Sequence, residues 1–270
     1  MQRMSVLAPL VTAIIVLGTT TSSAQLVPPP DLLPSPTLVN GVLTIGNTVI
    51  QTDDAATQEE LPGLGHKFEL FGTMIKDTDP ENSAGMPGHA GGGAGGNEVI
   101  SAVVAPGDFA FAYRSLSPGI DIRALTNQIG VKYFFVNKTC VAGSPRIQLV
   151  VDRDGDGDSD FTAHGHIAPT GAYTPCPMNM WRYEDLTDNL PRWEVTGNAT
   201  PIPGITPNVY LPWKTFAAAI ANLTSHKVLA GMLFDGESCS WTAANCGKAY
   251  YDLLTIENRT LEIWQDAVRK

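Results

Sequence analysis

The stretch that decides the fold runs Arg146-Ile147-Gln148-Leu149-Val150-Val151, then Asp152-Arg153-Asp154-Gly155-Asp156-Gly157-Asp158-Ser159-Asp160, then Phe161-Thr162-Ala163-His164-Gly165-His166-Ile167. In an extended chain alternate residues share a face. Ile147, Leu149 and Val151 therefore line one side of the first segment, and Phe161, Ala163 and Ile167 line one side of the second. Between them five carboxylates stand on alternate positions, with glycine at 155 and 157. Two strands with one apolar face each, joined by a polar and glycine-bent run, read as a β-hairpin with an acidic tip.

Outward from this hairpin the same signal recurs. Lys67-Phe68-Glu69-Leu70-Phe71 alternates, Glu98 to Val104 and Val131 to Val136 are apolar strands, and Val228 to Phe234 and Ala249 to Ile256 follow later. Only Pro212 to Asn222 has a helical period: proline suits a first helical position, and Trp213, Phe216, Ala217 and Ile220 recur on one face. Trp213 is accordingly expected in the core. Many strands, many turns and one short helix predict a mostly β fold, an antiparallel β-sandwich. No internal repeat is visible, which argues against a propeller.

The 270 residues divide into three expected parts. Residues 1–24 read as a secretory signal peptide, with Arg3, the apolar run Val6 to Gly18 and the small-residue site Ser22-Ser23-Ala24. Residues 25–60 read as a proline-rich linker, with Pro28-Pro29-Pro30, Pro34 and Pro36, followed by a small hairpin turning at Gly46-Asn47. Residues 61–270 form the sandwich. Ser83 to Asn97 is glycine-rich and is read as a surface loop; the strand that follows it is wrong for a phosphate-cradling loop. No second apolar segment has spanning length, so no membrane span is expected after signal cleavage.

The net charge is -10, which disfavours nucleic acid, because phosphate binding needs clustered Lys and Arg. Four cysteines form an even set, as in disulfide-bonded secreted chains. Cys140–Cys176 and Cys239–Cys246 are the expected pairs; no Cys-x-x-Cys or paired-His spacing favours zinc at these thiols.

The acidic run fits D-x-D-x-D-G-x-x-D. Asp152, Asp154 and Asp156 offer side chains, Asp158 its backbone carbonyl and Asp160 a closing carboxylate, a set of hard oxygens suited to Ca²⁺. An EF-hand needs an acid at the twelfth position, where Ala163 stands, and helical flanks. The run instead resembles the calcium loops on β-hairpins of the integrin-type (FG-GAP) propeller repeats; the resemblance covers this loop alone.

His164 and His166 share a strand face and are candidate transition-metal ligands, or else two exposed strand histidines. No third ligand is visible nearby in sequence. Carboxylates recur at Glu184, Asp185, Asp188, Asp235, Glu237 and Asp252, but no nucleophile elbow, zincin helix or other catalytic signature accompanies them. Trp181, Tyr183, Trp193 and Trp241 lie in polar contexts; Trp181, Trp193 and Trp241 are the candidate ligand-binding residues, able to stack on sugar rings, and core or interstrand packing is the equal alternative. Four glycosylation sequons start at Asn137, Asn198, Asn222 and Asn258.

The C-terminal third resembles the end of secreted jelly-roll modules: the helix, Val228 to Asp235, a cysteine-bounded loop, then Ala249-Tyr250-Tyr251-Asp252-Leu253-Leu254-Thr255-Ile256. Carbohydrate-binding modules often close on such a strand. The resemblance implies a fold more than an activity. The expected protein is a secreted, calcium-binding, non-catalytic module for a glycan or cell-surface ligand. A sandwich hydrolase or lyase acting on glycans, and a structural envelope or matrix component, are the alternatives.

Overall fold

A computed structural model of the chain describes residues 36–40, 42–45, 48–50, 68–78, 98–105, 108–127, 129–140, 144–168, 175–195, 201–236, 246–256, 260–261 and 267–269. The expected signal peptide, the linker prolines before Pro36, the glycine-rich segment and Trp241 lie outside the described residues.

In chain order the strands are β1 (Pro36–Val39), β2 (Val42–Ile45), β3 (Thr48–Ile50), β4 (Phe68–Phe71), β5 (Ile75–Thr78), β6 (Glu98–Val103), β7 (Ala110–Asp121) and β8 (Ile129–Val136). Then come β9 (Arg146–Asp152), β10 (Phe161–His166), β11 (Arg182–Asp185), β12 (Trp193–Val195), the helix α1 (Trp213–Ile220), β13 (Lys227–Asp235), β14 (Lys248–Ile256), β15 (Thr260–Leu261) and β16 (Ala267–Arg269). The larger sheet has the order β12-β10-β9-β13-β7-β4-β16, the second β11-β8-β14-β6-β5 with β15 on β14, and a small third one β1-β2-β3. Pairing is antiparallel except where β16 joins β4. The mostly β class and the one α-helix among the described residues are as the patterning predicts.

Ile147, Leu149 and Val151 of β9 and Phe161 and Ala163 of β10 meet Val131, Tyr133 and Phe135 of β8 and Ala249 and Tyr251 of β14 in one apolar cluster. Each such aliphatic or aromatic side chain stabilises by about 1.5–3 kcal/mol when fully buried. The inner faces of the two large sheets thus make the sandwich core.

β9 is buried at every residue, including its polar ones. The reason is a second layer. Leu43 and Ile45 of β2 pack with Val150, Phe111, Tyr113, Met232 and Phe234 on the outer face of the larger sheet. The small hairpin thus covers part of the main sheet. Pro36, assigned to the linker, opens β1, an edge strand where a residue without N–H is tolerated.

Helix α1 starts after Pro212 and buries Trp213, Phe216 and Ile220. It rests on β12, with the Trp213 and Trp193 rings 4.8 Å apart. The expectation that Trp213 is core holds.

Cys140 and Cys176 are disulfide-bonded, as expected. Thr139 braces the bridge: its Oγ1 donates to the Cys176 carbonyl at 2.9 Å and accepts from the Cys176 N–H at 2.7 Å. Cys246 is also disulfide-bonded; its expected partner, Cys239, lies outside the described residues. Joint replacement of Cys140 and Cys176 by alanine should lower stability by about 2–4 kcal/mol in urea unfolding. A change below about 0.5 kcal/mol, or a non-reduced peptide map joining Cys140 to Cys239, would refute the bracing role.

Candidate metal centre and binding face

β9 ends at Asp152, and the acidic run closes over to β10 with the Asp160 N–H donating to the Val151 carbonyl at 2.9 Å. Gly155 and Gly157 both sit at φ +91°, a conformation that side chains disfavour, and this coils the tip. The coil turns successive carboxylates inward. Asp152, Asp154 and Asp156 each offer an oxygen, all within 4.8 Å of one another, so this group could hold a metal ion. Asp152 is buried while the other two are exposed, so the group opens to solvent on one side.

Backbone N–H groups shape the same oxygens. Asp152 Oδ1 accepts from Gly155 at 2.6 Å, Asp154 Oδ1 from Asp156 at 3.2 Å and Asp156 Oδ1 from Asp158 at 2.8 Å. A carboxylate has about four lone-pair sites, so these bonds leave capacity for a cation. The other two aspartates also accept backbone hydrogen bonds. Asp160 Oδ2 accepts from the Arg153 N–H at 2.7 Å and ties the loop base. Asp158 Oδ1 accepts from the Asn40 N–H at 2.7 Å.

Beside that bond, Leu38 and Ser159 exchange two more: Leu38 N–H to Ser159 Oγ and Ser159 N–H to the Leu38 carbonyl, both 2.7 Å. The candidate metal loop is therefore also the dock for β1.

The three tryptophans separate. Trp193, expected as an exposed platform, is fully buried: its indole N–H donates to the Leu186 carbonyl at 2.6 Å, and its ring lies flat on Gly165, where a Cβ would meet it at 2.7 Å. It belongs to the core and leaves the ligand-binding set. Trp241 lies outside the described residues. Trp181 is half-buried on the outer face of the second sheet, 5.6 Å from the Phe134 ring, with Lys132 Nζ 4.8 Å from its centroid. Tyr250 stands edge-on to Phe134, and Tyr183, on β11, is 54% exposed.

Among the described residues the scattered carboxylates have partners; Glu237 lies outside them. Arg192, buried, donates to Glu184 at 2.7 Å and to Asp188 at 3.1 Å. Asp235, also buried, pairs with Lys138 at 2.8 Å and accepts from the Tyr251 hydroxyl at 2.8 Å. Burial, the Asp235 charge and this hydrogen bond push the Tyr251 hydroxyl well above its ordinary range. Asp185 accepts from the Thr187 N–H, and Asp252 lies 3.9 Å from Lys132. Of the sequons, Asn137 and Asn222 are exposed; Asn198 and Asn258 lie outside the described residues.

His164 and His166 are not exposed strand histidines: both are buried on the outer face of β10. Glu194 of β12, in register with His164, places Oε1 3.4 Å from His164 Nδ1 and 3.3 Å from His166 Nε2. Sequence reading missed Glu194, because a lone acid in Trp193-Glu194-Val195 carries no spacing signal. Compared with protein-family models, with curated proteins and with solved structures, the chain matches none.

Trp193→Ala should cost about 3–5 kcal/mol in thermal or urea unfolding, the range for emptying a large aromatic site in a core. Trp181→Ala should cost less than half as much. Equal effects of the two would contradict the separation of core ring from surface ring.

Proposed function

We propose that this chain is a secreted, calcium-binding β-sandwich module that binds a glycan or another extracellular surface without turning it over. The observation that carries the binding reading is the outer face of the second sheet. There Trp181, Phe134, Tyr250 and Tyr183 lie among the Lys132–Asp252 and Lys248–Asp77 pairs. Sugars present apolar C–H faces and hydroxyl rims, and a sheet of rings interleaved with charged groups answers both. The Asp152, Asp154 and Asp156 oxygens support the calcium reading, since all three donors are hard. A disulfide supports an oxidising compartment. Glu184, Asp188 and Asp235, bound to cations within the fold, are committed to structure, which favours binding over hydrolysis.

Titration calorimetry should show one Ca²⁺ bound at the loop, with the signal abolished by Asp154→Ala plus Asp156→Ala. EDTA should lower the melting temperature, because a ligand of the folded state alone stabilises by mass action. An unchanged isotherm in the double variant would overturn the assignment.

A glycan array run with and without chelator tests the binding face. Trp181→Ala and Tyr183→Ala should each weaken the best hit about two- to tenfold, as expected for a loss of roughly 0.5–1.5 kcal/mol of stacking. Release of reducing sugars or unsaturated products by the wild type would count against the binder reading.

A further inference from the structure

The second cluster of ligand-type side chains lies away from the acidic loop, on the outer face of the larger sheet. His164 and Glu194 are register partners across β10 and β12, and His166 follows two residues along on the same face. His164 is 0%, His166 2% and Glu194 6% exposed. Glu194 Oε1 sits between the two rings, at 3.4 Å from His164 Nδ1 and 3.3 Å from His166 Nε2. Its other oxygen, Oε2, and His166 Nδ1 are buried with no hydrogen-bond partner. A buried polar atom left unmatched costs about 1–3 kcal/mol, more when it carries charge, so such atoms call for an explanation.

We propose that His164, His166 and Glu194 are the protein ligands of a divalent transition-metal ion of the zinc class. Two imidazoles and one carboxylate form a donor set that zinc-class ions take and that Ca²⁺ does not. Bonds of about 2.0–2.1 Å in a tetrahedron put neighbouring donors about 3.3 Å apart, and both nitrogen-to-Oε1 separations match that edge. The third separation, His164 Nδ1 to His166 Nε2, is wider than that edge, since the three donors do not all lie within 4.8 Å of one another; closing it around one ion beside Oε1 requires both rings to turn about χ2, a broad torsion in histidine.

The scaffold is rigid: all three ligands stand on paired strands, and Arg146 and Gln148 of β9 are the register partners of His166 and His164. Tyr210, part-exposed, packs edge-on against His166 with centroids 5.1 Å apart. Three protein ligands leave a coordination position open for water or a small anion. This site is independent of the calcium loop.

The test uses the full secreted chain, stripped of transition metals and held in excess Ca²⁺, with Co²⁺ as the probe and Zn²⁺ as the competitor. The expected result is one Co²⁺ per chain, with the strong visible absorption of a four- or five-coordinate nitrogen-ligated ion, displaced by Zn²⁺. Glu194→Gln and His166→Asn should weaken binding more than the ~10–100-fold typical of losing an outer hydrogen-bond partner. Asp154→Ala plus Asp156→Ala should leave it intact. Absence of the absorption in the wild type, or its survival in both ligand variants, overturns the proposal. Should either variant fail to fold by circular dichroism, zinc-edge anomalous scattering from wild-type crystals soaked in Zn²⁺ decides: a peak bonded to the three side chains supports the site, and no peak there refutes it.

Discussion

The structure depends on covering β9 and β10 from both sides. One face of each strand closes the sandwich core against β8 and β14, and the other lies beneath the small β1–β2–β3 sheet or among buried polar side chains. A strand pair in that position has no solvent face on which to place a misfit. Every polar group on it must find a partner within the protein, because an unmatched one is expensive in a low-dielectric interior. Part of the charged chemistry of the described residues lies there or on a neighbouring strand. The hairpin tip gathers carboxylates, the outer face gathers His164, His166 and Glu194, and Asp235 at the end of neighbouring β13 takes Lys138 and the Tyr251 hydroxyl.

The inner half of this arrangement was legible in sequence. The period-two pattern of Ile147, Leu149, Val151, Phe161 and Ala163 names residues of the core, and the helical spacing from Trp213 to Ile220 names the helix α1. The acidic tip was legible too, because alternating aspartates with glycines at 155 and 157 have few other structural uses.

The outer half was not. Gln148, His164 and His166 occupy the polar phase of an alternating strand, and alternation alone cannot distinguish water from a second protein layer. Over Val150 that layer comes from Leu43 and Ile45, about a hundred positions away and preceded by prolines that read as linker, and beside His164 and His166 it comes from Glu194 and Tyr210. Trp193 misled for a related reason: its neighbours in sequence are polar, whereas its neighbours in space are Gly165, Trp213 and Phe216. Nothing local tells a tryptophan that a glycine two strands back has been left bare to receive it. Glu194 acquires meaning only through register with His164, a fact of pairing rather than of spacing.

The bonds between the acidic tip and β1 have a mechanical consequence. Tension entering the described chain at Pro36 reaches the larger sheet through a short cluster of hydrogen bonds: Thr162 Oγ1 to the Pro36 carbonyl, the exchanged pair of Leu38 and Ser159, and the Asn40 N–H on Asp158. Two of the anchoring residues, Asp158 and Ser159, belong to the loop whose carboxylates converge. Whatever stiffens that loop also raises the force at which the small sheet peels away and uncovers Phe111, Met232 and Phe234. Resistance to pulling and the convergence of three carboxylates are thus set by one nine-residue turn.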